Sequence, residues 1–101
     1  MALPVFDFTL PVSGVAIKWS PLSVGVEIDV MAEHAGKATL AFEYLRRRMT
    51  GADGKPVEMG KMREMDSLDL EMFQVEVNRV EEARRKQFTK GSDSPLAPSS
   101  T

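Results

Sequence analysis

Few side chains in this 101-residue chain suit catalysis or metal binding, and their spacing points away from both. There is no cysteine, so disulfides, thiolate chemistry and sulfur-ligated metals are excluded. His34 is the single histidine. A metal site would need it joined by carboxylates at helical spacing, and neither Asp29 nor Glu33 stands at i, i+4 from it. It lies two residues before Gly36, where a partly exposed histidine near a helix end is the plain reading. The acidic run Glu64, Asp66, Asp69 and Glu71 offers paired carboxylates for proton transfer or a cation. The spacing is not that of an EF-hand, and helix capping accounts for the same residues. No Gly-x-Gly-x-x-Gly, P-loop, nucleophile elbow or Ser/His/Asp arrangement occurs. The expectation is a protein that is not an enzyme and takes no cofactor.

The cations come in two clusters, Arg46-Arg47-Arg48 and Arg84-Arg85-Lys86. Three successive arginines on a helix point in three directions and make a poor phosphate clamp. The net charge of -2 also argues against a dedicated nucleic-acid binder. Both clusters suit helix C-termini, where the macrodipole favours positive charge. Seven methionines are many for this length. Met59, Met62 and Met65 recur three apart, so a helical turn presents them on one side. They are either flexible core filling or an adaptable protein-binding surface. The contact residues expected from this pattern are Met59, Met62 and Met65, with Arg46 and Arg47 steering acidic segments of a protein partner.

The elements that must position these residues start with strands. Phe6, Phe8 and Leu10 alternate with Val5, Asp7 and Thr9, the period-2 pattern of a half-buried strand. Pro11-Val12-Ser13-Gly14 forms a turn, and Val15, Ile17 and Trp19 resume the alternation, which predicts a hairpin. Its free edges invite pairing with a second copy. Ser20-Pro21 is read as the start of a helix ending at Gly36. A second helix is expected over residues 37–49, from Leu40, Tyr44, Leu45 and Met49. Residues 50–56 form a loop with an Asp53-Gly54 turn. Residues 57–63 are either a helical turn or extended.

The strongest helix begins at Asp66, with Asp69 in the capping-box position and Met65 and Leu70 placed as a hydrophobic staple. Leu70, Phe73, Val77, Val80 and Arg84 then step 3-4-3-4. Residues 91–101 are rich in Ser and Pro and predict a disordered tail. The fold class is therefore α+β, with an N-terminal hairpin packed against two or three helices in a single domain over residues 1–90. A chain of this size buries roughly two-thirds of its unfolded surface, which leaves little room for an enclosed cleft. No uncharged stretch is long enough to span a bilayer. Met1-Ala2-Leu3-Pro4 lacks the basic start of a signal peptide, so the expected compartment is the cytoplasm.

The layout resembles the small tail assembly chaperones of long-tailed bacteriophages. The resemblance rests on Leu10-Pro11-Val12-Ser13-Gly14 between two strands, with Val12 an addition to the Leu-Pro-Ser-Gly turn. It continues in the Pro21-initiated helix, in Asp53-Gly54-Lys55, and in Met65-Asp66-Ser67-Leu68-Asp69-Leu70-Glu71 running into a helix with Asn78. It implies a non-enzymatic protein that binds the tape-measure protein and recruits tail-tube subunits during tail construction. Two other classes fit the bare pattern: a small mobile-element inhibitor or adaptor that occludes a host protein, and a nucleic-acid-associated regulator using the basic clusters.

Overall fold

The computed structural model describes residues 3–90. The expected tail over 91–101 lies outside them. Strands β1 (Phe6–Thr9) and β2 (Ala16–Trp19) pair antiparallel, with Phe6 opposite Trp19 and Thr9 opposite Ala16. The turn between them is closed by Leu10 N–H donating to Val15 O at 2.9 Å and Gly14 N–H donating to Leu10 O at 2.8 Å. Gly14 sits at φ 76°, left-handed backbone that a residue without Cβ adopts freely. On the exposed face of the pair, Lys18 and Asp7 meet cross-strand at 2.6 Å.

The expected hairpin is in fact two-thirds of a sheet. A short strand β3 (Met49–Thr50) pairs antiparallel with β2, giving the order β1-β2-β3. Ser20 N–H donating to Arg48 O at 3.0 Å extends that pairing. The sequence reading put Met49 at the end of a helix. Two residues cannot show an alternation, so the strand left no periodic signal.

Helix α1 (Val24–His34) begins later than expected. Its N-cap is Ser23, whose Oγ accepts from Val26 N–H at 3.2 Å, while the Ser20 backbone pairs with Arg48, the residue before β3. It ends as expected near Gly36, at φ 78°. Helix α2 (Leu40–Arg46) is shorter than residues 37–49, because Arg48 and Met49 leave it to join the sheet. Helix α3 (Met59–Arg63) resolves the open segment as helical.

The long helix α4 (Ser67–Lys90) is capped by Asp66, whose Oδ1 accepts from Leu68 N–H at 2.8 Å. It lies on the sheet through Phe73. That ring meets Trp19 edge-on at 5.9 Å and Phe8 at 5.9 Å, and Phe6 lies tilted against Trp19 at 4.9 Å. Leu10, Ile17, Leu45, Met49, Met62, Val77 and Val80 complete the core.

Asp69 departs from its expected role. It does not close a capping box; it is buried, and its two oxygens accept from Val12 N–H at 2.6 Å and Ser13 N–H at 3.1 Å. One carboxylate thus ties the first turn of α4 to the β1–β2 turn. Hydrogen bonds to a charged acceptor are worth more than neutral ones, and removing the acceptor strands two donors. Asp69→Ala is expected to cost about 2–4 kcal/mol and Asp69→Asn roughly half of that. Urea unfolding followed by the fluorescence of Trp19, the single tryptophan, checks this. An unchanged midpoint for Asp69→Ala would show that the clamp is dispensable.

Candidate functional site

The methionine group is built by the short helix α3. Glu58 enters it in extended backbone (φ -86°, ψ 156°), and α3 then runs for only five residues. Met59 and Met62 therefore fall on one side, and Met65 follows as the chain turns into α4. Together with Phe42 and Thr39 of α2 and Leu70 of α4 they line a groove of about 360 Å³. Arg63 is the one charged residue on its lining.

The three methionines are not equivalent. Met62 is 5% exposed and belongs to the core, so it forms the floor and is no surface contact. Met59 and Met65 are half-buried and frame the opening. Phe42 is 49% exposed and Leu70 half-buried, and both do the work assigned to Met62. Phe42 faces the groove because Glu43 and Leu45, its neighbours on α2, take the buried side. That choice depends on where α3 and α4 lie, which periodicity on α2 alone does not give.

A larger concavity of about 660 Å³ adjoins Met65, which lines both. Its floor is Leu10, Val15, Ile17, Met49 and Val57, and charged residues including Asp53, Lys55, Glu58 and Lys61 line it as well. The hairpin, β3 and the 51–58 loop meet there only in the folded chain.

Arg46 and Arg47 are not the free steering cations expected. Both converge on Glu43, which is 2% exposed. Arg46 donates through Nε to Oε2 at 3.0 Å, through Nη2 to Oε1, and through Nη1 to Val57 O at 3.0 Å. Arg47 donates to Glu43 Oε1 at 2.7 Å and to Glu33 Oε1 of α1 at 3.0 Å. The physical reason is burial. A carboxylate out of water needs compensating charge and hydrogen bonds, and these two guanidinium groups supply both. Arg48, the third of the run, donates to Tyr44 O at 2.8 Å and Glu81 Oε2 of α4 at 3.1 Å. His34 Nδ1 lies 3.0 Å from Thr39 Oγ1, and its Nε2 lies 4.0 Å from Glu43 Oε1. Among the described residues, no group of three His, Cys, Asp or Glu side chains is placed to hold a metal ion. No helix among them is long and apolar enough to cross a membrane.

The Glu43 cluster carries a pH signature. Hydrogen bonds from Arg46 outweigh burial and, with those from Arg47, hold the carboxyl down from 4.5 to about 2. A carboxyl with a lowered folded pKa stabilises the fold fully above its unfolded value. That contribution, on the order of 3 kcal/mol, declines as pH falls from 4.5 towards 2. Glu43→Gln is expected to destabilise the protein at neutral pH and to flatten the acid limb of a stability-versus-pH curve over that window. Parallel curves for the two proteins, measured by urea unfolding, would contradict this assignment.

In comparisons with protein-family models, curated proteins and solved structures, the chain finds no match.

Proposed function

We propose that this chain is a non-enzymatic assembly chaperone of the phage-tail type, which buries apolar helical segments of the tape-measure protein and recruits tail-tube subunits. The observation that carries the reading is the methionine-framed groove: an apolar trough of about 360 Å³ with one cation on its lining. Unbranched thioethers repack at low cost, so one groove accepts many apolar side chains presented at i, i+3 or i+4 by a passing helix. A chaperone for a long, repetitive helical protein needs such tolerance more than it needs one tight fit.

Further apolar surface lies on another face of α4. Leu68, Met72 and Val75 recur at i, i+4, i+7 on α4, and each is exposed. Monomeric proteins seldom leave such stripes bare without a partner to cover them. Acting as a chaperone places the chain in the cytoplasm of the bacterial host, where tails are built.

The test is co-expression with a tape-measure protein of a long-tailed phage, the long helical partner this reading requires, followed by size-exclusion chromatography with light scattering. A soluble complex carrying several copies of this chain is the expected result. Phe42→Ser combined with Met59→Ser should lower the copies retained by half or more, at helical circular dichroism matched to the wild type. If the long protein precipitates and this chain elutes alone, the chaperone reading fails. A single tight complex of one copy with a different protein would favour an occluding inhibitor or adaptor instead.

A further inference from the structure

The larger concavity lies on the opposite flank of α3 from the methionine groove. Glu58 and Lys61 line it, whereas Met59, Met62 and Arg63 line the groove. Its volume of about 660 Å³ is within the range of ligand pockets. The floor is the open margin of the core. Ile17 and Met49 are buried beneath it, Val57 and Met65 are half-buried, and Val15 on the hairpin is 49% exposed. An apolar segment seated here removes Val15, Val57 and Met65 from water.

The two sites differ in charge. The groove has a single cation, Arg63, and no carboxylate. The concavity is bordered by Asp53, Glu58, Glu64 and Asp66 against Lys55 and Lys61. All six side chains are exposed, and none has an ion-pair partner among the described residues. Asp53 and Asp66 each accept one local backbone amide, from Lys55 and Leu68, which leaves their charge uncompensated. Asp69 also lines the concavity, with its two oxygens committed to the Val12 and Ser13 amides. Negative charge in excess around a concave apolar floor concentrates positive charge there.

We propose that this concavity is a second docking site, for a segment of another protein whose apolar anchors are flanked by lysine or arginine. The anchors cover Val15, Val57 and Met65, and the flanking cations meet Glu58, Glu64, Asp53 and Asp66. An acidic segment gains only Lys55 and Lys61 and faces the larger number of like charges. The two flanks of α3 then sort apolar segments by the sign of the charges beside them. The site uses neither the methionine groove nor its partner, and stands or falls apart from the chaperone reading.

The test is calorimetric titration of the full chain with a synthetic amphipathic peptide, leucine at i, i+3, i+4 and i+7 and lysine elsewhere. One-to-one binding that weakens at high salt is expected. Glu58→Lys with Glu64→Lys should weaken it by roughly tenfold or more, and Lys55→Glu with Lys61→Glu should tighten it, at unchanged helical circular dichroism. Changes of opposite sign separate a charged rim from damage to the fold. The same reversal at Glu27 and Glu71, exposed carboxylates outside the concavity, should alter affinity by less than about twofold. Phe42→Ser with Met59→Ser, on the other flank of α3, should leave it unchanged. Absence of binding overturns the proposal, as does binding unmoved by the Glu58 and Glu64 reversal, weakened equally by the Glu27 and Glu71 reversal, or lost with Phe42 and Met59. A chain that light scattering finds dimeric, and that Glu58→Lys with Glu64→Lys returns to monomer, would make a second copy the occupant and overturn it too.

Discussion

The fold turns on a single buried carboxylate. Asp69 is separated from the β1–β2 turn by most of the domain's sequence, yet it accepts both free amides of that turn. Those amides take no part in the hairpin ladder, and the Asp69 carboxylate supplies their acceptor. Once they are held, the registry of the long helix on the sheet is set. Phe73, one turn further on, then falls between Phe8 and Trp19, and Val77 and Val80 continue the contact. A negative side chain in the first turn of a helix is also favoured by the macrodipole, so the same residue serves both elements. The hydrophobic stripe supplies most of the attraction, and the carboxylate selects which placement of the stripe is used.

A second carboxylate organises the other half of the domain. Glu43 holds Arg46 and Arg47, and through them Glu33 of α1 and the carbonyl of Val57 before α3. Arg48 adds a link from the end of α2 to Glu81 of α4. The arginine run is therefore structural wiring at the junction of the four helices. Buried ion clusters of this kind add less stability than their number of contacts suggests, since each charge must first leave water. What they fix is geometry: the positions of α1 and α3 relative to α2, and with them the walls of the methionine groove.

One apolar surface remains after these constraints are met. The groove between α2, α3 and α4 is apolar, lined by flexible side chains, and suits a succession of similar helical segments.

What the sequence determined by itself was local. The alternation of Phe6, Phe8 and Leu10 and of Ile17 and Trp19 specified two strands, and Gly14 specified where the chain reverses. The 3-4-3-4 stripe and the Asp66 cap specified α4, because period and capping are properties of a few consecutive residues. The tertiary structure decided everything that needed a partner distant in the chain. Met49 became strand because β2 offered it a ladder, Ser23 replaced Ser20 as a cap because Ser20 was drawn into that ladder, and the Asp69 side chain held a distant turn instead of capping its own helix. Met62 went to the core while Phe42 came to the groove, and the arginines that looked free were claimed by Glu43. In each case the residue had two ways to satisfy the same hydrogen bonds or bury the same surface. Only the packed chain, by fixing which neighbour was within reach, made one of them the lower in free energy.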